Sequence, residues 1–288
     1  MTIRKFGIGI LFGFCYLSFG FSALAQANLG ARPMGMGGAF TGLADDVNAI
    51  FINPAGIASV QNESVLVSTR LSEGREYTMI GGVEQTGFGS LGLAYVGTTD
   101  PAGNSSDKFT TQTLYVSLAQ SVNQRIRIPR SLGVLSLGIN VKFASRKVGA
   151  ANGLYSDAGS DVNIDLASVF KPNDNISLGL SLLNGKNERA LLSGVSSKLF
   201  NDRLILSLDG GGLGFEWRAV RGLSVRGGRG ADKSSAGFGF NLGNFNLDYA
   251  FTAGTEPVHY WSVSIVPGET QTIAEKGDKL ASVFSVYQ

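Results

Sequence analysis

The sequence predicts an all-β fold: an antiparallel transmembrane β-barrel of about 14 strands, with an N-terminal hatch segment inside its lumen. Three observations point there. From about Ser64 onward, apolar and polar residues alternate with period two. Charged residues make up only 16% of the chain, as a lipid-facing surface would require, against roughly 25% in soluble domains. The N-terminus reads as an export signal, and no later stretch approaches a helical span of apolar residues. An exported chain without such a span enters a membrane only as a closed barrel, because helices and barrels alone satisfy every backbone polar group in hydrocarbon.

The signal occupies residues 1–25. Arg4 and Lys5 form its positive end, residues 8–21 its apolar run, and Ala23-Leu24-Ala25 its cleavage site, so the exported chain begins at Gln26. Cys15, the single cysteine, lies in the apolar run, which leaves no disulfide or thiolate site in the exported chain. Of 24 basic residues two are lost with the signal, leaving 22 against 22 acids. That neutral balance gives no reason to expect nucleic acid as a partner.

Residues 26–61 are the expected hatch. Residues 30–59 are too rich in glycine for a long helix and too apolar for a linker. Pro33 with Gly35, Gly37 and Gly38 is expected to break any regular element there. Asp45 or Asp46 can cap a short helix running to about Phe51, and Asn53-Pro54 ends it, since a residue before proline is pushed out of the helical region. Residues 55–58 fit one more turn.

The barrel is expected over residues 62–266. Its clearest strand sets Leu135, Leu137, Ile139, Val141 and Phe143 against Ser136, Gly138, Asn140, Lys142 and Ala144. Strands are expected near 63–71, 75–84, 88–97, 109–120, 132–146, 161–170, 176–184, 190–199, 203–209, 212–220, 223–229, 234–242, 245–252 and 258–266. The segment 190–199 alternates least. A soluble sandwich also has one apolar face per sheet. Here the apolar faces are long, nearly free of charge and edged by Tyr95, Phe170, Trp217, Phe251 and Trp261, as in the aromatic girdles of a barrel. Short turns such as 201–202 and 243–244 alternate with longer connections at 98–108 and 147–160, which assigns the short set to the periplasm. Residues 267–288 then form a polar periplasmic tail.

Gly30-Ala31-Arg32-Pro33-Met34-Gly35-Met36-Gly37-Gly38-Ala39-Phe40, Ala44-Asp45-Asp46 and Asn53-Pro54-Ala55-Gly56-Ile57-Ala58 together resemble the N-terminal pattern of the PorV/PorQ-type outer-membrane proteins, relatives of the FadL-type transporters of hydrophobic compounds. The run from Gly243 to Phe251 is similar to a penultimate-strand pattern of the same group. The resemblance implies a 14-stranded barrel with a luminal hatch. It also implies either passage of small hydrophobic molecules or service in a type IX secretion machine. This chain has smaller outer loops than members that dock large secretion partners.

Two sets of candidate site residues follow. Arg32, Asp45, Asp46, Asn53, Pro54 and Ala55 would hold or gate the hatch, with caps and turns as the plainer role for the two aspartates and Asn53. Lys142, Asp165, Glu216, Arg218, Arg226 and Asp248 fall on lumen-facing positions, where mixed signs favour pairing over selectivity for a charged solute, Glu216 with Arg226 above all. No catalytic residue, metal site or cofactor is expected. His259 is the only histidine, and the glycines at 237 and 239 precede no helix, so neither a triad nor a phosphate cradle is formed. The expected partners are outer-membrane lipid, a small hydrophobic ligand and, on the alternative reading, secretion-system proteins that use the chain as a scaffold. A soluble exported β-protein is the third reading.

Overall fold

The structure is a computed structural model, which describes residues 30–60, 64–72, 75–101, 108–126, 129–149, 155–185, 189–231, 233–254 and 257–266. The expected signal (1–25) and tail (267–288) lie outside the described residues.

Fourteen antiparallel strands close on themselves. They are β1 (Ser64–Ser72), β2 (Arg75–Thr86), β3 (Gly89–Pro101), β4 (Lys108–Ser121), β5 (Val134–Gly149), β6 (Tyr155–Asn173), β7 (Ile176–Asn184), β8 (Arg189–Leu199), β9 (Leu204–Asp209), β10 (Gly212–Val220), β11 (Leu223–Gly230), β12 (Ser234–Leu242), β13 (Phe245–Ala253) and β14 (Val258–Ile265). Each pairs with its sequence neighbours, and β1 pairs with β14 through Val65↔Ile265 to Leu71↔His259, so no edge is left at the seam.

The alternation does what period two requires. On β5, Ser136 and Asn140 are buried while Leu137, Ile139 and Phe143 are exposed. On β12, Phe238 and Phe240 are likewise exposed. Apolar side chains thus face outward around the ring, an arrangement that water would penalise and hydrocarbon would stabilise.

Two expected loops are strand over their described residues. Residues 98–101 and 108 continue β3 and β4, with Thr98↔Thr111 and Thr99↔Thr110 in register, and residues 147–149 and 155–160 continue β5 and β6. The outward apolar pattern stops there, but β-branched threonine keeps the ladder going. The wall is therefore uneven. β6 has 19 residues and β9 only 6. The connection after β4, long for the short-turn end, carries a short helix α3 (Val122–Ile126) and a 3₁₀ turn (Arg130–Leu132). Asn123 fixes it, donating to the Gly133 carbonyl at 2.8 Å and accepting from the Leu135 N–H at 2.9 Å.

Residues 30–60 lie inside the ring. They form α1 (Ala31–Gly35), α2 (Ala49–Ile52) and a 3₁₀ turn (Pro54–Ser59), and nearly every residue is buried. α1 corrects the expectation that Pro33 and its glycines allow no regular element. Pro33 sits in the first turn of that helix, where its missing N–H has no intrahelical partner to lose. α2 also starts later than expected, with Asn48 as its N-cap. The Asp46 carboxylate accepts from the N–H of Asn48 itself at 2.8 Å and Asp45 turns to Arg32, so neither aspartate is the helix cap that the sequence predicts. Asn53 ends α2 outside the helical region, at φ −146° and ψ 87°, before Pro54, as expected.

Candidate functional site

The site is the contact between residues 30–60 and the inner wall, and small residues make it possible. A Cβ added at Gly138 on β5 would come within 2.2 Å of the Ala55 nitrogen. One added at Gly179 on β7 would come within 2.0 Å of the Thr41 carbonyl oxygen, and one at Gly214 on β10 within 2.2 Å of the Met36 oxygen. No side chain fits at such distances, so these strand glycines are saddles for the backbone of the inner segment. The abundance of glycine in the sequence has this close approach as one cause.

Above β10–β13 the contact is ionic. Arg32 donates from Nη1 to Asp45 Oδ1 and Asp46 Oδ2, both at 2.7 Å, and from Nε to Glu216 Oε2 at 2.8 Å. Glu216 also accepts from Arg226 Nε at 2.7 Å, and Arg226 Nη1 reaches Asp248 Oδ1 at 2.6 Å. Arg218 stands 3.5 Å from Glu216. Seven of the residues singled out in the sequence thus form one network. Glu216 and Arg226 are directly opposed in the β10–β11 register, which is why period-two reasoning could pair them. Burial pulls the Arg32 guanidinium down, but Asp45, Glu216 and Asp46 together hold it well above its ordinary value. Burial pushes the Asp46 carboxyl above the usual carboxylate range, Asp45 adds to that, and Arg32 opposes it.

Lys142 and Asp165 form a separate pair at 2.7 Å. Asn140 joins it to the inner segment, donating from Nδ2 to Asp165 Oδ2 at 3.2 Å and to the Ile50 carbonyl at 2.7 Å. Asn53, Pro54 and Ala55 lie at a third contact. Asn53 Nδ2 donates to the Thr41 carbonyl at 2.9 Å and to the Ser168 carbonyl of β6 at 3.1 Å, so it both folds the segment and ties it to the wall. Nearby, Phe51 meets Tyr115 edge to face at 5.2 Å. Here the fit is by shape, with Ile50, Ile52, Ala55 and Ile57 buried.

Sequence reasoning missed Asp209, whose Oδ2 accepts from the N–H groups of Phe40 and Thr41 at 2.9 and 2.8 Å. Its place before Gly210-Gly211 reads as a turn residue, and its inward parity on β9 was the available signal. Ser262 and Asn48 were missed too. They accept from the N–H groups of Ala31 and Gly30 at 2.8 and 3.1 Å, filling acceptor roles at the start of α1.

A cavity of about 650 Å³ lies beside the ionic network at the short-turn end of the barrel. Arg32, Asp45, Asp46, Glu216 and Arg226 line its floor, and Val47, Leu66, Leu223 and Phe240 add apolar surface. Among the described residues, no three His, Cys, Asp or Glu side chains are gathered as a metal ion would need.

Solved structures share this architecture. The CymD monoaromatic hydrocarbon channel is similar over 85% of this chain and 99% of its own, with a TM-score of 0.61 and 12% identity. The Ralstonia pickettii toluene transporter TbuX is similar over 84% of this chain and 99% of its own, with a TM-score of 0.58 and 13% identity. The barrel is built like theirs. Neither a protein-family model nor a curated protein sequence matches the chain.

Proposed function

We propose that this chain is an outer-membrane barrel that passes small apolar molecules, with residues 26–61 as its hatch, residues 62–266 as its wall and residues 267–288 on the periplasmic side. Residues 1–25 would direct its export, and membrane lipid would cover the outward apolar face. One observation carries the reading: the ionic network around Arg32 holds the inner segment next to a cavity of about 650 Å³, a volume typical of small-molecule sites. The ion pairs border this space and can pass a partner to a molecule that enters it, whereas the shape-fitted contact around Ala55 gives way only when backbone moves. Opening would therefore start at Arg32 and proceed toward Asn53-Pro54-Ala55. The fold shared with two channels, named for monoaromatic hydrocarbons and for toluene, supports an apolar solute.

The test is uptake of toluene and of a linear alkane by proteoliposomes holding the full chain, set against a chain lacking residues 30–59. Uptake that is saturable with the full chain and altered by the deletion is expected. Uptake of every apolar solute left unchanged by the deletion would sink the reading.

A second reading is a scaffold in a type IX-like secretion system. It draws on the PorV/PorQ-type resemblance and on how full the interior is: Phe40, Ile50 and Ile57 are completely buried. Co-purification with periplasmic or surface proteins, together with no effect on solute entry, would favour it.

A further inference from the structure

Glu216 faces three guanidinium groups, two from the wall and one from the inner segment. Its Oε2 accepts from Arg32 Nε at 2.8 Å and from Arg226 Nε at 2.7 Å. Its Oε1 accepts from Arg32 Nη2 at 3.3 Å, and Arg218 Nε stands 3.5 Å from that same oxygen. Arg226 is on β11, and Arg218 is on β10, two residues beyond Glu216 and therefore on the same side of the strand. Both stay beside Glu216 whatever the inner segment does.

Arg32 is placed differently. Its other bonds go to Asp45 and Asp46, which belong to the inner segment and travel with it. When the segment moves from the wall, the parting line at this end runs between Arg32 and Glu216. Glu216 is only 2% exposed, and a buried carboxylate that loses a cation is strongly destabilised. The local charge makes the loss worse. Among the described residues, four carboxylates meet here, Asp45, Asp46, Glu216 and Asp248, against the two directly bonded guanidiniums of Arg32 and Arg226. Wall cations stand farther out, Arg218 by Glu216 and Lys198 at 3.9 Å from Asp45. Arg218 has room to move. Its side chain is 42% exposed against 5% for Arg226, and it borders the cavity.

We propose that Arg218 is the reserve partner of Glu216. As Arg32 withdraws, Arg218 closes the remaining ~1 Å to hydrogen-bond length and takes Oε1, so the hatch is released by exchanging one guanidinium for another. The reverse exchange reseats it. Arg218 is thus a positioning residue that acts through Glu216. The inference rests on the reading that the inner segment moves, and it names no solute.

Removing Arg32 by substitution imitates its withdrawal. Arg32→Gln, Arg218→Gln and the double variant are compared in the full chain in proteoliposomes, by hydrogen exchange over residues 212–230. Each single variant leaves Glu216 two guanidiniums and is expected to change exchange there by no more than about twofold. The double variant leaves Arg226 alone and is expected to raise it at least roughly tenfold, the factor that ~1.4 kcal/mol sets. Arg218→Lys in the Arg32→Gln background should keep the rate low. Adding Glu216→Gln to the double variant should erase the excess, because no carboxylate is then short of a partner. Where the double variant fails to fold, Glu216→Gln should restore folding. Single effects that merely multiply, an excess that survives Glu216→Gln, or a double variant that Glu216→Gln leaves unfolded overturns the proposal. No uptake is measured, so failure here is distinct from failure of the passage reading.

Discussion

The inner segment is held at two ends in two different ways. Toward β10–β13 it is held by charge, through Arg32, Asp45 and Asp46 against Glu216 and Arg226. Toward β3–β7 it is held by fit, with the Pro54–Ser59 turn over Gly138 and with Phe51 against Tyr115. The charged end lines the cavity of about 650 Å³, and the Ala55 end does not line it. Charges can trade one partner for another or for water, while close packing is lost only by moving backbone. The difference implies an order of release, with the charged end first.

The strongest way to break this comparison is Arg32→Met. It leaves Asp45, Asp46 and Glu216 short of a buried cation and is expected to cost ~3–5 kcal/mol locally. Hydrogen exchange should rise sharply over residues 31–46 and stay unchanged over 50–59. If both ends exchange faster together, the segment is one unit and the comparison fails. Next comes Gly138→Val at the fitted end, where the added atoms meet the backbone at Ala55. Overpacking of this kind costs ~1–3 kcal/mol. It should loosen residues 53–59 first, read by the same exchange map. Asn53→Ala removes two donated bonds and should cost ~1–2 kcal/mol, seen as a lower urea midpoint with the strand pattern intact.

The smallest effect is a pH dependence. A carboxyl raised by folding favours its neutral form in the folded state. The Asp46 contribution to seating is therefore fully present below the free carboxylate range and is lost as pH rises through its raised folded value. Exchange over residues 31–48 should increase slightly across that window, and Asp46→Asn should flatten the change. An increase that survives Asp46→Asn belongs to another group.

Much of the wall was legible because each strand carries its own instruction: inward Ser, Asn and Gly alternate with outward Leu, Phe and Val. Lumen-facing charges were legible for the same reason. The reading stopped short where that instruction lapsed, as at Thr98, Thr99, Thr110 and Thr111, which extend the sheet without an apolar face. Partners were harder. Arg32 and Glu216 are 184 residues apart, and no local pattern says which acids an arginine of the inner segment will meet. Asp45 looked like a cap because caps are local, but its bond is to Arg32, 13 positions away. Asp209 was hidden by a turn sequence that explained it well enough without its contact to Phe40 and Thr41.

The unequal strands have a consequence for any bilayer around the ring. At about 3.3 Å per residue and a tilt near 40°, the six residues of β9 climb only ~15 Å, while the nineteen of β6 climb roughly 48 Å. A hydrocarbon slab about 25 Å thick overtops the first and is overtopped by the second. In such a slab the lipid would thin beside β9 and not beside β6, which gives the ring two unlike flanks in the plane of a membrane.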